Sequence, residues 1–248
     1  MTGARPWQDL VRRRPGGASR LAALRSPMVK AESKRRSQPR STRKPKGSGS
    51  ERRAEILAAA KALFASEGFA SVTTRALAAK AGLSQTGLYI YFATKEDILR
   101  AISEETHDAM TAAFEQAVAG AGSPRDKLRR LIRAYVEFGL GHPADYQLTF
   151  TVGPEALGPL EKDFSKPADA QEPGARSFMR FGELLADLAG PDLLGSLSPL
   201  AATQILWFVG HGAVSLLISR PDFPWADRKT LIDGLERLVL NGLVGLEA

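Results

Sequence analysis

The stretch Thr73–Lys95, TTRALAAKAGLSQTGLYIYFATK, constrains the fold of this chain more than any other. Either Thr73 or Thr74 opens a helix, and RALAAKA sets Ala76, Leu77 and Ala81 on one apolar face. Gly82 ends it, because glycine takes a left-handed cap at little steric cost. Ser84 then caps a second helix, SQTGLYIYF, by accepting backbone N–H groups that no helical turn can satisfy. Two helices joined by about three or four residues with a glycine in the turn form a helix-turn-helix. An ordinary helical hairpin has the same local signals, so the context decides.

That context is helical throughout. ERRAEILAAAKALFASEG, from Ser50 to Glu67, repeats Ile56, Ala60, Leu63 and Phe64 at helical spacing, and Gly68 stops it. Thr94 caps a long helix reaching about Val118, with Asp97 at the capping-box position. AGAGSP breaks the chain at 119–124. Further helices are predicted from Pro124 to Gly141, over a short stretch from Pro143, from Arg176 to Leu188, from Pro199 to Ser219 and from Ala226 to Leu246. Residues 153–174, rich in Pro, Gly and charge, read as a long mobile loop. No period-two pattern of a strand and no internal repeat occurs. The expected fold is all-α: a three-helix helix-turn-helix domain at 50–97, then a helical ligand-binding and dimerisation bundle at 98–248, about nine helices in all.

Residues 1–49 differ in kind. Residues 1–50 hold 14 Lys/Arg against 2 acids, hence +12, and the remaining 20 against 25 leave −5 on the rest. A segment so polar cannot bury a core and is expected to be disordered. Three readings are open: a solvated tail or a misassigned start, with Met28 as the first residue; a transit peptide; or a flexible arm adding phosphate contacts. The absence of cysteine removes disulfides, thiolate metal sites and a cysteine nucleophile, and agrees with a cytoplasmic location. No membrane span is expected. The most apolar run, Ile205–Ser219, carries His211 and is shorter than the roughly 18–20 residues a bilayer requires.

Residues 52–100 resemble the DNA-binding domain of the TetR family of bacterial transcriptional regulators. The likeness rests on ILAAAKALFASEGF and TTRALAAKAGLSQTGLYIYFATKEDIL. It implies that the second helix of the pair enters the major groove while the first crosses the backbone. Gln85 and Thr86, in the first turn, are candidates for base contacts: glutamine pairs with adenine, and threonine meets a base or the thymine methyl. Gly87 lets the helix approach closely. The resemblance sets Tyr89 and Tyr91 near DNA, Tyr89 as a phosphate contact, although a tyrosine in either position can also pack in the small core. Lys95 is expected to hold a phosphate by charge and amide donors together, with Thr74 and Arg75 on the opposite backbone. Leu77, Ala81, Leu83, Leu88 and Phe92 are core.

The same resemblance implies a small-molecule effector among the C-terminal helices. Candidate lining residues are Tyr135, Phe138, Tyr146, Phe150, Phe178, Phe181 and Trp207, with His211 as a polar handle. Aromatics at such spacing form core more often than pocket. LWFVGHGAVSL (206–216) looks like the Trp and His-Gly signature of one subgroup, although Gly210 and Gly212 could equally mark a helix-packing site. The last two helices are the candidate homodimer interface, which a palindromic operator on double-stranded DNA demands. Release would follow from a ligand that favours a different spacing of the two reading helices. His107, His142 and His211 lack metal-ligand spacing and no phosphate loop follows a strand, so neither an enzyme nor a cofactor or metal is expected. Two alternatives are an architectural DNA-binding protein and a regulator controlled by a protein partner.

Overall fold

The computed structural model describes residues 49–157, 172–193 and 197–243. The basic tail and most of the 153–174 segment lie outside them. Ten α-helices and one π-turn make up the described residues, with no strand among them: α1 Gly49–Glu67, α2 Thr74–Lys80, α3 Gln85–Tyr89, α4 Lys95–Val118, α5 Pro124–Gly141, α6 Pro143–Gln147, a π-turn Leu148–Val152, α7 Gly153–Leu157, α8 Pro173–Leu193, α9 Pro199–Ser219 and α10 Arg228–Leu243. The all-α expectation holds.

Local chemistry sets most boundaries. Gly68 turns left-handed at φ +79°, ending α1. Thr94 and Asp97 form the reciprocal capping box of α4, each bond 3.0 Å long. Ser123 and Ser198 cap α5 and α9, each followed by proline at the first helical positions. Three expectations are corrected. The second helix of the pair ends at Tyr89, not Phe92, because Tyr91 N–H turns back to Leu88 O at 2.9 Å. Residues 153–157 are helical, and α8 starts at Pro173, so the supposed loop is shorter than 153–174 at both ends. Finally, α9 is 21 residues long with a mean hydropathy of 1.5, long and apolar enough by length and composition to cross a bilayer. The sequence estimate started the apolar run at Ile205 and so missed its first turns. One face of α9, Ala202, Leu206, Gly210 and Val214, is buried in the protein core.

Two hydrophobic clusters divide the described residues. The first joins Ile56, Leu57, Ala60 and Phe64 of α1 to Leu77, Leu88 and Phe92 of the helix pair and to Ile98, Leu99 and Ile102 of α4. The second joins Met110 and Phe114 of α4 to α5, α6, α8, α9 and α10. Helix α4 therefore serves both. The π-turn marks the seam: Leu148 belongs to the first cluster, while Phe150 packs against the second. At that seam Lys61 of α1 reaches Glu105 of α4 at 3.4 Å and Asp145 of α6 at 3.2 Å.

On α10 the buried stripe is Ile232, Glu236 and Leu240. The sequence predicted Leu238 on the apolar face, yet it is 78% exposed. The stripe contains a carboxylate because Arg133 of α5 meets Glu236 at 2.6 Å and Asp233 at 2.6 Å. A buried acid needs such a partner.

Candidate nucleic-acid interface and effector site

The helix pair is built by its caps. Thr73 Oγ1 accepts from Ala76 N–H at 3.2 Å, opening α2. Gly82 adopts φ +67°, and Leu83 N–H closes the turn onto Ala78 O at 2.8 Å. Ser84 Oγ accepts from Gly87 N–H at 3.0 Å. Leu77, Leu88 and Phe92 are buried below the pair, and Ala81 and Leu83 pack against them.

The outer face carries Arg75, Gln85, Thr86 and Tyr89, all exposed, with Thr74 half-buried beside them. Three of these are tied together. Gln85 Nε2 donates to Tyr89 Oη at 3.1 Å and to Thr74 Oγ1 at 3.3 Å, and the two hydroxyls lie 3.4 Å apart. The hydrogen bonds from Thr74 and then Gln85 draw the Tyr89 phenol below its ordinary pKa. The triad spans α2 and α3, so it fixes a polar surface before any ligand arrives. Ile90, 78% exposed, stands next to it and escaped the sequence reading. Its signal was available: Leu88 and Phe92 point inward one helical step apart, which turns the residue between them out.

Other expected contacts divide. Tyr91 is half-buried and packs on the first cluster. Gly87 has a packing reason beyond groove approach, since a Cβ there would stand 3.2 Å from Ser84 Oγ. Lys95 is the largest departure. Its ammonium does not face outward; it donates to Phe69 O at 3.0 Å, Ala70 O at 3.2 Å and Val72 O at 3.3 Å, and lies 4.5 Å from the Phe69 ring centroid.

The C-terminal aromatics gather around a hydrogen-bonded chain. Tyr135 Oη lies 3.1 Å from Tyr146 Oη, which lies 2.7 Å from His211 Nδ1; His211 Nε2 lies 3.3 Å from Ser215 Oγ. Burial holds His211 below its usual pKa, raises Tyr135 to about 12 and raises Tyr146 further. The imidazole is thus neutral near pH 7, with Tyr146 donating to Nδ1 and the Nε2 proton facing Ser215. Phe150 and Trp207 flank His211, at 5.5 and 6.1 Å between ring centroids, and Phe178 meets Trp207 at 5.7 Å. Phe138 does not join this group; it stacks on His142. The sequence reading missed Ser215 as the second partner of His211.

The space beside these rings is uneven. An internal void lined by Tyr135, Phe181, Leu206 and Gly210 measures only about 10 Å³. A groove of about 490 Å³ runs along the exposed side of α9, past Gln204, Ile205, Trp207, Phe208 and His211. Gly210 faces inward, where a Cβ would come within 2.8 Å of Tyr135. Among the described residues no cluster of His, Asp and Glu could hold a metal ion.

Two family models match the chain. Residues 56–102 match the bacterial regulatory proteins of the tetR family, and residues 128–247 match the tetracyclin repressor-like C-terminal domain. The chain belongs to the TetR family. Among relatives of this TetR-family chain, the HTH-type transcriptional regulator EthR of Mycolicibacterium smegmatis is 33% identical over 51% of the chain and 58% of its own length. The HTH-type transcriptional activator FasR of the same organism is 28% identical over 40% of the chain and 46% of its own. The HTH-type transcriptional repressor KstR2 of Mycobacterium tuberculosis is 32% identical over 37% and 46%. The chain thus spans about half the length of the curated relatives it matches. The fold likeness extends further. A crystal structure of a tetR-family regulatory protein from Rhodococcus RHA1 is 27% identical with a TM-score of 0.60, covering 79% of this chain and 97% of that one.

Proposed function

We propose that this chain is a DNA-binding transcriptional regulator that binds a palindromic operator as a homodimer. The observation that carries this reading is the exposed Thr74–Gln85–Tyr89 triad on a capped helix pair, with Arg75, Thr86 and Ile90 around it. Gln85 and Thr86 read bases, while Thr74, Arg75 and Tyr89 hold phosphates; Tyr91 supports the reading surface from behind. Residues 50–97 are the reading domain, and 98–248 are the domain for ligand and dimer. The basic tail of residues 1–49 adds phosphate contacts, and the location is cytoplasmic.

Repression is the proposed mode. A relative is named as a repressor and another as an activator, so the sign is read directly by reporter output with and without the protein. Dimerisation runs through α9 and α10. Leu200, Phe208, Leu216 and Leu238 expose 51–79% of their surface there, more apolar side chains than a monomer leaves in water without reason. The effector is a small, largely apolar molecule lying against Trp207 and His211, with Tyr135, Tyr146, Phe150 and Phe178 behind them; Phe138 is outside this set. We include the Trp-His-Gly subgroup in the proposal, on Trp207, His211 and Gly212. A ligand acts only by favouring the DNA-incompetent spacing of the two reading helices.

A second reading has one observation in its favour. The interior of the C-terminal domain is filled, with only about 10 Å³ free, as suits a regulator controlled by a protein partner. Selection of bound duplexes from a random pool, with the full chain and with a chain starting at Ser48, tests the main reading. A palindrome with half-sites about one helical turn apart is expected. Binding without a consensus that collapses with salt would overturn it. Apolar small molecules that release the selected duplex separate effector control from partner control.

A further inference from the structure

The Lys95 side chain has a role that its position at the start of α4 conceals. An ammonium has three N–H donors and no acceptor. Three carbonyl oxygens surround this one, Phe69 O, Ala70 O and Val72 O, at 3.0, 3.2 and 3.3 Å. Every donor is thus directed at the backbone that leads into α2, and the Phe69 ring covers the charge at 4.5 Å. Lys95 itself is the first residue of α4, fixed by the Thr94–Asp97 capping box. The loop it grips is also anchored: Phe69 packs on Phe64 at 5.0 Å between centroids, and Val72 is 1% exposed.

The chain before α2 and the chain after α3 are therefore joined by one side chain. Between them lie α2, the Gly82 turn and α3, the whole reading pair. That pair has little else to hold its two ends together, because α3 is five residues long and a helix so short has almost no stability of its own. We infer that Lys95 is a positioning residue that staples the two ends of the helix pair and presets the angle of α3, rather than a phosphate-binding side chain. It acts on DNA through the geometry of Gln85 and Tyr89. The inference rests on the proposed DNA-binding function.

The test compares Lys95→Met, Lys95→Arg and Arg75→Gln in the full chain. Affinity for the duplex enriched by the wild-type protein is measured across a salt series, and amide hydrogen exchange is measured without DNA. A lost phosphate contact lowers the salt slope by about 0.9, and Arg75→Gln supplies that reference. Lys95→Met is expected to weaken binding about tenfold or more while keeping the slope, since a loosened interface loses preorganisation and not ion pairs. Exchange is expected to rise at residues 69–77 and stay unchanged in α5 and α9. Lys95→Arg, which keeps the charge but not the compact three-way fit, is expected to show the faster exchange without a change of slope. A slope reduced as in Arg75→Gln, with unaltered exchange, would make Lys95 a phosphate contact and overturn the inference. Unaltered exchange with unaltered affinity overturns it as well. If the wild-type chain selects no duplex, the functional reading fails, and the exchange comparison still decides whether the staple exists.

Discussion

His107 shows how one buried side chain ties stability to pH. It sits on α4 with 8% exposure, edge-on to Phe150 at 5.2 Å, and its Nδ1 finds no hydrogen-bond partner. Burial pushes its pKa down to about 4 from an ordinary 6.5. The folded state therefore resists a proton that the unfolded chain accepts. The contribution is fully present above pH 6.5 and is lost as pH falls toward 4. Between pH 7 and pH 5 the loss is about 2 kcal/mol. His107→Leu is expected to flatten that part of the curve, as measured by Tm in a pH series; an unchanged pH dependence would contradict the assignment. Two glycines on α9 make a second contrast at this scale. A Cβ on Gly210 would lie 2.8 Å from Tyr135 Cδ1, whereas Gly212 has open space around it. Gly210→Ala is expected to destabilise by about 1–3 kcal/mol through overpacking. Gly212→Ala is expected to be neutral or to stabilise by up to about 1 kcal/mol, because alanine loses less backbone entropy in a helix. Chemical denaturation of both variants reads the difference.

At the scale of elements, the helix pair depends on its turn. Gly82 at φ +67° is where α2 hands over to α3, and a side chain there strains the left-handed conformation by about 1–2 kcal/mol. Gly82→Ala is expected to lower Tm and to weaken duplex binding more than it weakens the fold, since the turn sets the angle of α3. Equal binding by the variant would show that α3 is held from elsewhere. The seam between the two clusters is also an element-scale device. The π-turn Leu148–Val152 spans it, and such turns interrupt a helix to re-aim its side chains. Here Leu148 enters the first cluster and Phe150 reaches the second. Tyr146, bonded to His211, is chain neighbour to Asp145, which pairs with Lys61 of α1. The effector groove and the reading domain thus approach one another through α6.

For the whole molecule, the unexplained surface is the exposed apolar side of α9 and α10. Phe208 is 79% exposed and Leu238 is 78% exposed. In the proposed dimer these side chains are covered by a second copy. Phe208→Glu with Leu238→Glu is expected to give folded monomers, with helical circular dichroism retained, halved mass in sedimentation and at least tenfold weaker binding to the palindrome, because a monomer holds only one half-site. A dimer that survives both charges would move the interface to another face.

The sequence by itself determined the class of fold, the helix pair and most helix limits. Caps, prolines and left-handed glycines act on residues within one turn, so Ser84, Gly82, Thr94 and Pro199 could be read without knowing any distant neighbour. The reading face was legible for the same reason, since α3 has only one buried side to lose. Long-range packing decided the rest. Lys95 finds its carbonyls more than twenty residues earlier in the chain, and nothing local reveals that its ammonium turns inward. Glu236 takes a core position because Arg133 on another helix pairs with it, which displaced the predicted apolar stripe from Leu238 to Leu240. The Tyr135–Tyr146–His211 chain joins three helices. Each of these rests on a contact whose partners only the folded chain brings together.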